Sequence, residues 1–561
     1  MLKDFIRPLC CLPLIALVGC ATVAPVAPVA TSNVEIQNAV AMAANNESAA
    51  ERIRRDIAWL ADDAREGREA GTDAYRQAAE YTAARMAGLG VTPGANGSWF
   101  QEVPLRSGAP NPDASTMSIS EADGTVHQLT NLDDFLVYPS IEFGTFSLEN
   151  VPAVFVGYGV SAPEFGHDDY AGVDVKGKVV VYFSGVPKIF DNESQAHFNS
   201  RGLKYKEAAA RGAVGIISLS TTASEQSRPW ARMTANPSYK IMTWVGPDGR
   251  ADTAGPGLKG IGAINPANAA MLFDGAPRSY ADMLATADED GKALESFDLP
   301  VKISMAGEMT TEDVTSPNVV GLIPGADPLL KNEYVILTAH LDHTGINERL
   351  IAEGKDGINN GAMDNATGIA TMMEVARQFK TGTPPARSVM IVAVTAEEKG
   401  LLGSDYFAHF PTIGSGEMVA NVNLDMPVML HSFTDVIAFG AEHSSLRKIL
   451  EDALAQTGVS LQPDPIPQLN IFVRSDHYRF VEQGVPAIYL WAGFSNGGEE
   501  KFWDFYKNHY HQPSDDISRP ILYDDMARFA DLNYIIARAI ADAPEKPAWN
   551  EGDFFGDLFT K

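Results

Sequence analysis

The chain of 561 residues is longer than one hydrophobic core usually holds, and 45% of its residues are hydrophobic, so we expect a globular protein of two or three domains. Its formal net charge of −29 argues against a nucleic-acid partner, because the phosphates would be repelled. An acidic, solvated surface is the simpler interpretation of that charge.

The N-terminal segment has the features of an export signal. Basic residues precede an apolar run that is too short to span a bilayer. The run ends on Leu17-Val18-Gly19-Cys20, which resembles a bacterial lipobox with Cys20 as the lipidated residue; an ordinary signal peptide with a chance cysteine is the alternative. We predict a lipoprotein signal peptide over residues 1–19 and a Pro/Ala-rich tether over 20–36.

This pattern predicts a location in the cell envelope. The resemblance implies an exported lipoprotein, in the outer membrane and facing the periplasm or the outside, whose only membrane contact is a lipid anchor at Cys20. The only other cysteines are Cys10 and Cys11, inside the signal. A metal site in the mature chain must therefore use imidazoles and carboxylates.

Residues 37–138 begin with a helical pattern. Residues that favour one buried face recur at alternating spacings of four and three, followed by a glycine where a helix would end: Tyr75, Ala79, Thr82, Met86, Leu89 and Gly90. We expect this helix to bury that face.

Residues 139–300 change to short β runs and turn clusters, with one helical segment, "LKYKEAAARG". The stretch from Gly157 to Leu219 resembles the protease-associated domain, a β-rich module inserted into several peptidases. We expect residues 139–300 to form such an inserted domain without a catalytic role.

Residues 301–545 alternate strand and helix, which predicts an α/β layered fold, and residues 546–561 form a C-terminal tail. Strand candidates include "YVILTAH", "SVMIVAVTAEE" and "MVANVNLDM". In such folds ligands gather at the carboxyl ends of the strands.

Imidazoles and carboxylates stand at these strand ends and in adjacent loops. The set is His340, Asp342, Asp364, Glu397, Glu398, Asp425, His509 and His511. Two divalent cations can use such donors, share one carboxylate and clamp both an attacking hydroxide and a carbonyl oxygen. One carboxylate must stay free to take the proton of the water.

The ordered segments resemble the co-catalytic di-zinc exopeptidases, which include bacterial leucyl aminopeptidases and glutamate carboxypeptidase. The segments that carry the resemblance are "TAHLDHTG", "NNGAMDNATG", "AEEKGLLGS", "NLDM", "SDHYRF" and "YHQPSDD". The resemblance covers residues 37–545. It implies an α/β fold with a mixed central sheet flanked by helices, and an inserted protease-associated domain.

The resemblance implies two zinc ions held by five residues. His340 and Asp425 would bind one zinc, Glu398 and His511 the other, and Asp364 would bridge them.

Two further carboxylates receive roles from the resemblance. Glu397 would be the general base, and the Asp342 carboxylate would orient His340. The family also has a cis peptide after its bridging aspartate, so Asp364-Asn365 is a candidate for one.

Several nearby residues have alternative interpretations. We favour a loop role for His343 over metal binding, and His511 over His509 as the last ligand, because "HQPSD" matches the family motif at His511. The segment Ser475 to His477 could contact substrate or support the site.

The resemblance implies a metallo-exopeptidase with peptide substrates, and an aminopeptidase is the first choice. A di-zinc carboxypeptidase is the second, with Arg474 as a candidate partner of a terminal carboxylate. A non-catalytic receptor-like module and a glutaminyl cyclase are less favoured alternatives. Specificity is expected in loops such as 495–508, where Phe502, Trp503, Phe505 and Tyr506 cluster, and packing of these residues against the protein is an equal alternative. The oligomeric state is left open.

Overall fold

The computed structural model describes residues 47–237, 239–289 and 292–560. The predicted signal peptide, the tether and Cys20 lie outside these residues. Among the described helices, none combines the length and the apolar composition that a membrane span requires.

The described strands, in chain order, are β1 Thr92–Pro93, β2 Phe100–Glu121, β3 Val126–Leu129, β4 Phe135–Pro139, β5 Thr145–Val156, β6 Ser161–Ala162, β7 His167–Asp168, β8 Val179–Phe183, β9 Gly215–Leu219, β10 Ile241–Trp244, β11 Gly260–Ile264, β12 Ser296–Ile323, β13 Glu333–His340, β14 Ser388–Val394, β15 Glu417–Asn423, β16 Asp435–Phe439, β17 Ser460–Gln462 and β18 Ala487–Ala492.

The described α-helices are α1 Ala49–Leu60, α2 Asp73–Gly88, α3 Asn192–Phe198, α4 Arg201–Ala210, α5 Thr222–Ser227, α6 Trp230–Met233, α7 Tyr280–Asp288, α8 Glu348–Ala352, α9 Thr367–Thr381, α10 Leu402–His409, α11 Leu446–Leu454, α12 His477–Val481, α13 Gly498–Asn508, α14 Tyr523–Asp542 and α15 Phe554–Phe559. Short 3-10 turns lie at Asp63–Arg68, Pro163–Phe165, Ala269–Phe273, Ala441–His443, Pro467–Leu469 and Ile471–Val473, and one π turn at Ala362–Ala366.

The predicted mixed sheet flanked by helices is confirmed in the C-terminal half. Its strand order is β17-β16-β18-β15-β13-β14-β12. Strands β14, β13, β15 and β18 run parallel, whereas β12 and β16 are antiparallel to their neighbours β14 and β18.

Both faces of this sheet are covered, which explains why its strands are continuously apolar. Val335 and Leu337 of β13 pack in one core with α1, α2, α9 and α14. Ile336 faces the other side and packs in a second core with Phe407 of α10 and Phe480 of α12. The carboxyl ends of the parallel strands therefore remain the accessible edge of the layer.

The predicted helix near residue 75 is α2. Thr72 caps it, because its side chain accepts a hydrogen bond from the Tyr75 main-chain N–H. Tyr75, Ala79, Thr82 and Met86 are buried, as expected.

A long antiparallel ribbon joins the C-terminal sheet to the sheet of the middle segment. β2 and β12 pair from Glu121 with Val301 to Phe100 with Val319, with a register shift between Ala306 and Glu308. The N-terminal half of β12 then continues into the order β12-β5-β8-β9-β11-β4. This second sheet includes β4 and part of β12, on either side of the predicted boundaries at 139 and 300, and those boundaries stay a prediction.

The segment expected to be a specificity loop is the helix α13. Phe502 and Phe505 are buried in the core, at 2% and 0% exposure. The expectation of a loop is wrong here because the aromatic residues recur at helical spacing and pack inward.

Candidate metal centre

Two strand ends and the turn before α9 bring three of the predicted ligands together beside the sheet. His340 is the last residue of β13, and its Nε2 lies 3.1 Å from Asp364 Oδ1 and 3.2 Å from Asp425 Oδ1. His340 and Asp364 are buried, and these donor atoms lie close enough to share one cation.

A second group lies on the other side of Asp364. His511 Nε2 is 3.2 Å from Asp364 Oδ2 and 3.2 Å from Glu398 Oε2. His343 Nδ1 is 2.7 Å from Glu398 Oε1. Asp364 thus directs one carboxylate oxygen toward each group, as a shared ligand would.

The second group fits a divalent cation. His343 Nδ1 and Nε2, Glu398 Oε1 and His511 Nε2 are buried without hydrogen-bond partners of good geometry. Buried polar atoms without partners are costly, and imidazole nitrogens and carboxylate oxygens are donors that such cations accept. A cation between His343 Nδ1, Glu398 Oε1 and His511 Nε2 would satisfy these three atoms.

His343 lies in a loop beside the site, as expected, but it is more closely involved than that expectation implied. Its side chain is 0% exposed and its ring meets that of His511 edge to face, with centroids 5.5 Å apart. The position of His343 three residues after His340, at the same strand end, was the signal available in the sequence.

His509 lies outside both groups, as the preference for His511 required. Its Nδ1 contacts the Ser514 hydroxyl at 2.8 Å, and its Nε2 contacts the Arg519 guanidinium at 2.7 Å.

The Asp515 carboxylate anchors the loop that carries Asp364. The peptide bond Asp364-Asn365 is cis, which confirms that expectation. The Asp515 carboxylate accepts hydrogen bonds from the main-chain N–H groups of Met363 at 2.9 Å and Asp364 at 3.0 Å. Asp515 belongs to the segment "YHQPSDD", so the motif contained this anchor although its role was not predicted.

Arg68 braces the loops on the other side. It is 1% exposed and donates to the main-chain carbonyls of Leu341 at 3.0 Å, Asn360 at 2.7 Å and Gly361 at 3.0 Å. Burial lowers the pKa of Arg68 to about 10. No sequence signal identifies this residue, because its partners are main-chain atoms.

Asp342 acts differently from the expectation. The Nδ1 of His340 lies 3.0 Å from the main-chain carbonyl of Asp342, so the carboxylate does not make this contact. The carboxylate instead accepts from the main-chain N–H groups of Glu397 at 3.1 Å and Glu398 at 3.3 Å. Asp342 therefore fixes His340 through its main chain and the glutamate pair through its side chain.

Ser475 supports the first group. Its hydroxyl donates to Asp425 Oδ2 at 2.6 Å and accepts from the Asn423 side chain at 2.7 Å. Asp476 and His477 are 0% exposed, so neither reaches the open surface of the site.

Glu397 stands apart from the ligand groups and faces an open cleft of about 460 Å³. The cleft wall also includes His340, Asp425, Arg474, Tyr506 and Tyr510. Burial raises the pKa of Glu397 well above its usual range, and the neighbouring Glu398 carboxylate acts in the same direction. A carboxyl group with a raised pKa at a cleft wall is suited to accept and return a proton.

Comparison with known proteins agrees with this geometry. Residues 318–536 match the model of peptidase family M28. The probable leucine aminopeptidase 2 of Aspergillus oryzae is 26% identical over 254 residues, which cover 40% of this chain and 47% of that protein. A probable zinc metalloprotease of Pyrenophora teres f. teres is 30% identical over 156 residues, which cover 27% of this chain and 32% of that protein.

The chain thus spans about half the length of the first of these relatives and a third of the second. The solved structure of an aminopeptidase from Aneurinibacillus sp. strain AM-1 aligns with 89% of this chain and 95% of its own, with 20% identity and a TM-score of 0.49. The family match begins near the end of β12, ends within α14 and contains every predicted ligand, so residues 318–536 are similar to peptidase family M28.

Proposed function

We propose that the protein is a zinc-dependent aminopeptidase that removes N-terminal residues from peptides with two zinc ions. The observation that carries the proposal is the pair of donor groups that share Asp364, beside an open cleft with Glu397 at its wall. The family match and the names of the two curated relatives support it.

The donor set gives holding roles to six residues. His340 and Asp425 would hold one zinc, Glu398 and His511 the other, and Asp364 both. His343 would add an imidazole to the second ion. When bound, the two zinc ions supply a water of lowered pKa and polarise the scissile carbonyl.

Glu397 is the general base in this proposal. It faces the cleft and lies directly before the proposed ligand Glu398 in the chain. None of the ion pairs that His340, His343 and His511 make is with Glu397. It would accept the proton of the attacking water and deliver it to the leaving amine. The main-chain N–H of Glu397 donates to the Asp342 carboxylate, and this hydrogen bond fixes the backbone that carries the Glu397 side chain.

The acidic character of the site favours a substrate amine. Carboxylates of Asp364, Glu397 and Asp425 line the cleft, and their negative charge favours the ammonium group of a peptide over a carboxylate there. A carboxypeptidase is the second candidate, because Arg474 also lines the cleft, is exposed and could receive a terminal carboxylate.

A substrate panel distinguishes the two. Peptides with a free amine and an amidated C-terminus should be cleaved, those with a blocked amine and a free carboxylate should not, and a chelator should abolish turnover. Cleavage of only the blocked, free-acid peptides would support the carboxypeptidase instead, and no cleavage of either would contradict both.

We also propose that the chain is exported and anchored by a lipid at Cys20. The sequence Leu17 to Cys20 supports this location. A Cys20→Ser variant should lose metabolic labelling with a fatty acid and leave the membrane fraction. Unlabelled wild-type protein would contradict the anchor.

A further inference from the structure

A basic pocket lies in the middle segment, next to the metal centre. It holds about 1000 Å³ between β4, β8, β9 and β11 of the second sheet and the helices α4 and α5. Three cationic side chains line it: Arg201, Lys204 and Arg228. Hydroxyl groups of Ser184, Ser218, Ser220 and Tyr182 are also in its wall.

None of the described residues that line this pocket is an aspartate or glutamate. Within the described part of the chain, none of the three cations has a carboxylate within ion-pair distance. Such an arrangement is unexpected in a chain with a formal net charge of −29, where carboxylates are abundant. Unpaired cations that converge on one space are instead suited to an anion.

Lys204 is the strongest indication of an anion site, because it is only 2% exposed. Its ammonium donates to the main-chain carbonyl of Gly185 and lies 5.2 Å from the centre of the Tyr182 ring. Buried charges normally have an opposite charge beside them, since burial without one is costly. Burial lowers the pKa of Lys204 to about 7, and an anion would reverse that shift.

Arg201 and Arg228 stand at the open side of the pocket, where both are exposed. Arg201 is three residues before Lys204 on α4, so both side chains leave the same helix face. The Tyr182 hydroxyl at the wall is buried without a hydrogen-bond partner of good geometry. Together these groups offer donors from the mouth to the base.

The pocket is continuous with the metal centre. A neighbouring cleft shares Tyr138, Arg201 and Tyr205 with the pocket and extends to Glu398 and Lys399. Glu398 belongs to the second donor group. A ligand in this cleft can therefore have one end beside Glu398 and the other beside Arg201, at the border of the basic pocket.

We propose that Arg201, Lys204 and Arg228 form a subsite for a carboxylate of the peptide substrate. This carboxylate would lie on the C-terminal side of the scissile bond. This inference rests on the proposed aminopeptidase function. The subsite favours short peptides whose C-terminal carboxylate reaches the pocket, and longer peptides with an acidic side chain there.

The test compares each peptide with its C-terminal amide, over a ladder from dipeptide to pentapeptide. In the double variant with Arg201→Gln and Arg228→Gln, the KM for at least one free-acid peptide should rise about tenfold, while kcat and the KM of its amide stay unchanged. Arg232→Gln is the matched control, because this exposed arginine is close in sequence but does not line the pocket. Equal effects on acids and amides, or none, would overturn the proposal.

Calorimetry separates this inference from the proposed function. If the wild type cleaves no peptide, the aminopeptidase proposal fails, but the free-acid peptide should still bind the wild type more tightly than the double variant. Inorganic phosphate should weaken that binding by competition. Peptide binding that is unaffected by the double substitution or by phosphate would overturn the subsite.

Discussion

At the residue scale, two adjacent glutamates of the same chemistry have different surroundings. Glu398 contacts His511 and His343, whereas Glu397 faces the cleft. The geometry therefore suits the two different roles proposed for these neighbours, metal ligand for Glu398 and proton acceptor for Glu397.

Glu397→Gln should retain both metal ions and lose activity by about 10² to 10⁴ fold, because the amide cannot accept a proton. Metal content and kcat measured on the same sample check this. Glu398→Gln is the comparison, and it should lose metal as well as activity. Full turnover in Glu397→Gln would show that Glu397 is not the general base.

His343→Ala should weaken binding of the second metal ion by about tenfold or more, because it removes an imidazole next to Glu398. Metal affinity measured with a chelating indicator is the readout. His509→Ala is the control, because this histidine contacts Ser514 and Arg519 outside both donor groups. Equal affinities in the two variants would exclude His343 from metal binding.

The site residues differ in how readily the sequence predicts them. Residues in ordered motifs at strand ends, such as His340 and Asp425, can be recognised because chemistry and strand position coincide. Arg68 cannot, because its role depends on main-chain carbonyls that the fold brings together. The contact between His340 and the main-chain carbonyl of Asp342 could not be predicted either, because it does not depend on the Asp342 side chain.

At the element scale, a buried ion pair joins the first two helices. Arg85 of α2 donates to both carboxylate oxygens of Asp56 in α1, at 2.9 and 3.0 Å, and the Tyr81 hydroxyl donates to the same carboxylate at 2.6 Å. Both charged residues are 2% exposed.

Arg85→Ala should lower the free energy of unfolding by about 3 kcal/mol, because the buried Asp56 carboxylate loses its bidentate partner and keeps only Arg55, at 3.3 Å, as a cation. Denaturant unfolding measures this. Arg76→Ala, on the same helix, removes an exposed pair with Glu102 and should cost no more than about 1 kcal/mol. Similar losses in both variants would contradict the dependence on burial.

The apolar strands and the helices of this fold could be predicted from the sequence more readily than the long antiparallel ribbon of β2 and β12. The parallel strands β13, β14 and β15 are continuous apolar runs because both of their faces are buried. β2 extends over 22 residues that include polar residues and prolines, so its pairing with β12 depends on distant partners. The aromatic segment of α13 is predicted as a loop for another reason. Clusters of aromatic residues that bind substrate and clusters that pack in a core have the same appearance in sequence.

At the scale of the whole molecule, His443 joins three distant parts of the chain. Its ring lies 2.6 Å from Asp553 beside the C-terminal helix α15 and 3.0 Å from Glu193 in α3 of the middle segment. Burial acts to lower the pKa of His443, but the two carboxylates outweigh burial and raise the pKa to about 10.

A pKa that is higher in the folded than in the unfolded chain means that the charged form stabilises the fold. This stabilisation is complete below the ordinary value of 6.5 and disappears as the pH rises through about 10. The difference in unfolding free energy between wild type and His443→Gln should therefore shrink over this interval, by on the order of 2 kcal/mol. A difference independent of pH would show that His443 acts through packing alone.

The central claim is that two ions, held in two groups that share Asp364, are needed for removal of N-terminal residues. The most direct measurement is a zinc titration of the metal-free protein that follows release of the N-terminal residue from a peptide. We predict that activity reaches its maximum only at two equivalents of zinc per chain, and that Glu397→Gln binds the same two equivalents without turnover. Full activity at one equivalent, or activity in the presence of excess chelator, would contradict the account.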